Sequence, residues 1–229
     1  MLHGDAGAFL SLTKSRENVY LCVEAILDYF GTKGTVIVPT FTYSATKSQR
    51  YNVKLTPSSI GNFSEMFRVN SRMKRTRHPN FSVSVAGHKT DEVLETRVDD
   101  AFGPGTIFDF LYNENAKLVT IGCSINRLTF THYVEQKEQV FYRFMKSFMA
   151  NVEEAGYCES FRTTYYVRDL GFDLDTSIDL TKFQHRATCS GYLRVTKFGR
   201  FESTAISARH CFAIMSEMLK ENQYALIRG

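Results

Sequence analysis

The succession of helical and strand periods along this chain predicts an α/β protein with a β-rich C-terminal part. Three observations carry that expectation. Apolar residues recur at helical spacing between Val19 and Phe30 and again between Ala205 and Lys220. Short β-branched runs punctuate the first half, at Thr35 to Val38 and Leu118 to Ile121. From Phe161 to Arg168 aromatic and β-branched residues alternate with polar ones. The 229 residues, 43% hydrophobic and 14% aromatic, supply material for one compact core, so a single domain over residues 1 to 229 is expected.

Taken in order, Leu2 and His3 read as the tail of a strand whose earlier part lies upstream, running into a loop at Gly4 and Asp5. Ser15 is a candidate N-cap for a helix carrying Val19, Cys22, Val23, Ile26, Leu27 and Phe30, with Gly31 as C-cap. Thr35 to Val38 is a buried strand stopped by Pro39, which leaves Thr40 to Ser44 where the strand meets solvent. Residues 45 to 56 form a polar excursion, and Ser59 to Arg68 a short helix. Phe81 to Ala86 alternates as a strand does, and Asp91 to Val98 reads as a helix. Gly103, Pro104 and Gly105 make a tight loop before a helix capped by Thr106 that runs to about Tyr112. Leu118 to Ile121 is a strand, opened into a loop by Gly122. A helix then begins near Thr129, continues through Gln139 and extends toward Met149. Tyr192 to Val195 is a further strand, and the last helix spans about Ala205 to Lys220.

Composition narrows the class of function. A formal charge of +4 is below that of a dedicated nucleic-acid binder, though it suits an anionic small molecule. Five cysteines, widely spaced and without a Cys-x-x-Cys pair, argue against a disulfide framework and a structural zinc site, and fit a reducing cytoplasm. No segment has the apolar length of a membrane span, and the first residues lack a signal peptide's pattern.

The chemistry concentrates around Thr129, His132 and Glu135, three residues apart, where helical neighbours meet. At a helix start the dipole disfavours imidazolium while a carboxylate favours it, so His132 is a candidate general base; the same spacing also suits a polar cluster with only a structural role. His78, in a His-Pro turn, is a second candidate. Cys123 is a possible thiol nucleophile with His132 as its base, or an ordinary core cysteine. Arg72, Lys74, Arg75 and Arg77 are crowded together as either a solvated turn or an anion site. No pair shows the tight helical spacing of His-x-x-x-His, so no metal is expected.

Several segments, in order, resemble the aminoglycoside N3-acetyltransferase family. They are Leu2-His-Gly-Asp5, Gly34-Thr-Val-Ile-Val-Pro-Thr-Phe-Thr42, Arg77-His-Pro79, Phe102-Gly-Pro-Gly-Thr106, Thr129-Phe-Thr-His-Tyr-Val-Glu135 and Asp173-Leu-Asp-Thr176. The resemblance implies a layered α/β/α sandwich with a mixed central sheet, and transfer of an acetyl group from acetyl-CoA to an amine of an aminoglycoside. It implies His132 as general base with Glu135 and Thr129 beside it. His3, Gly4, Asp5, Thr40, Phe41, Thr42, Gly103, Gly105 and Thr106 would line the CoA site, with His78, Asp173 and Asp175 toward the acceptor. The implied partners are acyl-CoA and a small-molecule amine, with a homodimer possible and neither nucleic acid nor membrane involved. Gly4-Asp5-Ala6 stands where the resistance enzymes tend to have serines, so the second expectation is an acyltransferase acting on a nucleotide-linked amino sugar. A non-enzymatic polyanion-binding module using the basic cluster is the third.

Overall fold

The computed structural model describes residues 1 to 228. In chain order the elements are β1 (Leu2–Gly4), α1 (Ala6–Thr13), α2 (Arg16–Phe30), β2 (Thr35–Pro39), β3 (Arg50–Asn52), α3 (Asn62–Val69), β4 (Lys74–Arg75), β5 (Val83–Gly87), α4 (Thr90–Leu94) and α5 (Ile107–Asn113). They continue as β6 (Lys117–Ile121), α6 (Phe130–Lys137), β7 (Arg143–Glu154), β8 (Tyr157–Arg168), α7 (Thr181–Cys189), β9 (Arg194–Phe198), β10 (Phe201–Ser207) and α8 (Ala208–Glu221).

The middle layer is built from two ladders. One has the order β1-β6-β10-β9, with β1 parallel to β6 and the other pairs antiparallel. The second, β2-β5-β4, is antiparallel and lies beside the first where β1 meets β2. Side-chain alternation makes this layer two-faced. Leu2, Val36 and Val38 pack with Phe9, Val23, Leu27 and Phe63 of α1, α2 and α3. Met1, Ile37 and Leu118 point the other way, into the larger core with Phe108, Tyr133 and Met215 of α5, α6 and α8. Helices thus cover both faces, the α/β/α sandwich expected, with a mixed central layer. A third sheet, β3-β7-β8, forms the β-rich part and has its own small core of Tyr51, Val53, Ala150 and Val152.

Two sequence expectations are corrected here. The helix from Thr129 ends at Lys137, not near Met149. Gln139 takes a left-handed φ of 52°, Val140 N–H donates to Glu135 O at 3.2 Å and Gln139 N–H to Gln136 O at 3.3 Å, the paired bonds of a Schellman stop. The chain then runs into β7, whose twelve residues pair with β8. The basic run, for its part, is not a patch. Arg72 pairs with Glu24 and Asp28, Lys74 with Asp91, and Arg77 with Glu154 and Glu159. Arg75 is buried, its guanidinium bonded to Thr40 O, Val53 O and Thr56 O and lying over the Tyr51 ring. Extended backbone through β4 sends successive side chains to opposite faces, which scatters the four charges.

Candidate active site

The parallel pair β1 and β6 ends at one edge of the middle layer, and a cleft of about 310 Å³ opens outside those carboxyl ends. Open α/β sheets hold ligands in that position. His3 and Gly4 come from the end of β1, Asp5 caps α1 by accepting from Ala8 N–H at 3.0 Å, and Cys123 follows β6. Two glycines allow the walls to close. A Cβ on Gly4 would lie 2.6 Å from the Phe63 ring, and one on Gly122, whose φ is +67°, would lie 2.3 Å from Ala8 Cβ. The remaining wall comes from Phe41 and Tyr43 after β2, Asn62 and Ser64 at the start of α3, Arg127, Thr129, His132 and Ile178.

His132 and Glu135 form the core of the site. The Nδ1 atom of His132 lies 2.6 Å from Glu135 Oε2, while Nε2 has no hydrogen-bond partner among the described residues and the ring borders the cleft. The Phe102 ring meets the imidazole edge-on at 5.7 Å between centroids. Glu135 is fully buried; Tyr142 donates its hydroxyl to Oε1 at 2.9 Å and Arg143 Nε lies 2.8 Å from Oε2. Burial, reinforced by the Arg143 charge, lowers the pKa of His132 from its ordinary 6.5 despite the opposing pull of Glu135. Burial alone would raise the Glu135 carboxyl, but Arg143, His132 and Tyr142 together hold it below the usual range. At neutral pH the pair is therefore a carboxylate accepting from Nδ1–H of a neutral imidazole, with the Nε2 lone pair directed to the cleft.

The other expected residues divide. His3, Gly4, Asp5, Phe41 and Thr129 line the cleft. Thr129 stands at the rim, its hydroxyl 3.4 Å from Arg127 O, and forms no side-chain bond with His132. Burial holds the pKa of His3 down at about 3, so its imidazole is neutral too. Thr40 and Thr42 are turned inward, Thr40 Oγ1 to Ser82 O and Arg75, Thr42 Oγ1 to Pro79 O at 2.6 Å. Gly103, Gly105 and Thr106 form the turn that carries Phe102; Thr106 Oγ1 donates to Gly103 O at 2.7 Å, and a Cβ on Gly103 would strike the Asp100 carboxylate. None of the three lines the cleft. His78 does not reach it either, because Nδ1 accepts from Asn80 and Phe81 N–H and Nε2 donates to Asp100 O at 3.1 Å. Asp173 and Asp175 are exposed on the loop before α7, outside the cleft lining. Burial pushes the Cys123 thiol up to about 11, so a thiolate nucleophile is not available at neutral pH. Tyr142 and Arg143, which fix Glu135, were hidden in the sequence by the helix expected to run through them. Among the described residues no group of three His, Cys, Asp or Glu side chains is placed to hold a metal ion, and no helix is long and apolar enough to cross a membrane.

The family model for aminoglycoside 3-N-acetyltransferases matches residues 1–220. The chain belongs to the aminoglycoside 3-N-acetyltransferase family. As a member it is an acyltransferase of that type. Solved structures share the family's fold: aminoglycoside acetyltransferase AAC(3)-Xa has a TM-score of 0.79 at 17% identity, over 100% of this chain and 87% of the other. AAC-IIIb, solved as a binary complex with CoASH, has a TM-score of 0.73 at 16% identity over 87% and 82%. A histidine-to-alanine variant of AAC(3)-IVa in complex with a gentamicin has 0.69 at 15% over 90% and 76%. No curated protein matches in sequence.

Proposed function

We propose that the chain is a single acyltransferase domain that transfers the acetyl group of acetyl-CoA to an amine of an aminoglycoside-type amino sugar, with His132 as general base. One observation carries the reading: an imidazole held at Nδ1 by a buried carboxylate at 2.6 Å, with Nε2 free at the cleft. An ammonium group must lose a proton before it can attack a thioester. Nε2 takes that proton, the amine nitrogen bonds to the acetyl carbon, and the carbon–sulfur bond breaks to release CoA. General-base assistance of this kind is worth about 10²–10⁴ in rate. Glu135 stabilises the imidazolium as it forms, and Tyr142 and Arg143 keep Glu135 in place. Acetyl-CoA is larger than the cleft alone; a hollow of about 470 Å³ between α1, α2 and α3 shares Ala6 and Asn62 with it and offers the remaining room. That hollow holds neither histidine nor cysteine, so its role is binding.

His132→Ala tests the assignment. Thiol release with acetyl-CoA and gentamicin should fall by at least about 10²-fold, while CoA affinity measured by calorimetry stays within a few-fold. Unchanged turnover would sink the reading.

A nucleotide-linked amino sugar is the second acceptor class, and the charge of the cleft favours it. Asp5 is the sole carboxylate among the lining residues and already caps α1, while Arg127 contributes a cation. A polycationic acceptor gains little from such a wall, and a phosphate-bearing one gains more. Release of thiol with each acceptor class separates the two. The dispersed basic run leaves the polyanion-binding reading without support. Five free cysteines favour a cytoplasmic setting.

A further inference from the structure

Among the residues that line the cleft, Tyr43 stands out by its backbone. It follows β2 and takes a left-handed φ of 55°, a region that disfavours any residue with a side chain. The turn holds it there from several directions. Its N–H donates to Asn80 O at 3.3 Å, its carbonyl accepts from Thr46 Oγ1 at 2.8 Å, and Ser44 N–H beyond it donates to Pro79 O at 3.0 Å. The ring stands edge-on to Phe41 and Phe81, with centroids 6.2 and 5.4 Å away. Backbone of this kind persists where the surroundings over-determine it, and it collects at sites of function.

An aromatic cluster ties this residue to the His132 side of the cleft. Phe81 also meets Tyr165 at 4.9 Å, and Phe102 packs against Phe81, Tyr165 and the His132 ring. The Tyr43 phenol is influenced by Tyr165 and Arg127, and Tyr165 by Arg143 and Glu135, the groups that hold His132. Tyr43 lines the cleft half-buried, and its hydroxyl is not sealed from solvent and has no hydrogen-bond partner among the described residues. We propose that Tyr43 is a catalytic residue whose hydroxyl donates a hydrogen bond to the thioester carbonyl oxygen of acetyl-CoA and to the oxyanion which that oxygen becomes.

This role rests on the acyl-transfer reading above. As the free amine nitrogen bonds to the acetyl carbon, the carbonyl π pair moves onto oxygen, and a fixed donor there stabilises the charge better than water does. When the carbon–sulfur bond breaks, that pair returns to the carbonyl and the sulfur leaves with the bonding electrons. The amine proton held on Nε2 then passes to the sulfur, giving the thiol. Tyr43 keeps its own proton throughout. Burial, reinforced by Tyr165, raises its phenol above the ordinary 10.0 against the opposing Arg127, away from a thiol at about 8.5. The hydroxyl is therefore a donor and not an acid. Arg127, the cation of the cleft lining, adds to the field that favours an oxyanion.

Tyr43→Phe keeps the ring and its packing and removes only the hydroxyl, so the variant should fold with an unchanged circular dichroism spectrum. Two measurements on the full chain test the role. The first needs no acceptor: with acetyl-CoA labelled at the acetyl carbonyl, the infrared stretch of the bound thioester should lie at lower frequency in the wild type than in Tyr43→Phe. The second is thiol release with gentamicin, where kcat should fall about 10²–10³-fold, the loss expected for one oxyanion donor, while KM for acetyl-CoA stays within a few-fold. A role confined to packing moves neither. Identical stretches in the two proteins, an unchanged kcat, or a rise in KM alone would overturn the proposal and leave the acyl-transfer reading standing, because His132→Ala reports on that reading separately. If gentamicin is not the acceptor, the stretch decides by itself. Failure of the wild type to bind acetyl-CoA would overturn both.

Discussion

Replacing Glu135 by glutamine keeps the side chain's size and removes its charge, and the structure sets what that should do. Arg143, whose side chain is 3% exposed, loses its ion-pair partner in a site closed to bulk solvent. Breaking a buried pair from one side costs about 3–5 kcal/mol, so the variant should melt measurably lower while remaining folded at room temperature. The catalytic effect has two parts. The imidazole loses a carboxylate at 2.6 Å that fixes its tautomer and supports the imidazolium, so the plateau of kcat/KM should drop by a substantial share of the about 10²–10⁴ a general base provides. Glu135 also raises the pKa of His132 against burial and Arg143, which lower it. Without it the imidazole becomes still less basic. Since the base must be unprotonated to act, the acid limb of kcat/KM, already below the ordinary 6.5, should move to lower pH as the plateau falls. Initial rates of thiol release across the acid range, on protein checked for folding by circular dichroism, measure both. An unchanged plateau, or a limb that moves upward, would refute the relay.

Two further outcomes follow from the same geometry. Cys123→Ser should retain transfer within a few-fold, because its thiol is held protonated by burial; loss of activity together with an acyl adduct on Cys123 in the wild type would instead restore the thiol mechanism. Stability should fall as pH drops from about 6.5 toward 4. His78 is buried neutral with its pKa lowered from 6.5 to about 4, so the unfolded chain binds a proton across that window which the folded chain refuses. The loss develops below the unfolded value, is complete below the folded one, and amounts to about 3 kcal/mol for this group. Urea midpoints measured against pH check it, and a flat profile between pH 6.5 and 4 would contradict it.

Much of the framework was legible because local signals and tertiary packing agree. The helix with Ser15 before it and Gly31 after it runs from Arg16 to Phe30, and Thr35 to Val38 falls inside β2. The helix from Asn62, the strand at Val83 and the final helix also lie where their periods put them, within a few residues. Segments without a strong period of their own were missed. α1 is stabilised by the Asp5 cap and by its packing across Gly122. β3 and β4 are three and two residues long and exist through their partners. The error over residues 138 to 149 had the opposite cause. A run of charged, aromatic and methionine residues is compatible with a helix, and the left-handed turn at Gln139 together with pairing to β8 decided for a strand.

By itself the sequence determined which chemistry is present: a histidine and a glutamate three residues apart at a helix start, flanked in order by glycine-bearing loops and a Pro-Thr turn. Helical geometry makes that pair meet whatever surrounds it. Only the tertiary structure decided what the pair can do. Folding brings Tyr142 and Arg143 onto Glu135, excludes water from the carboxylate, leaves Nε2 open to a cleft, and draws His78 and Arg75 into the interior. The basicity of an imidazole and the availability of a charge depend on burial and on neighbours distant in sequence, which local spacing does not encode.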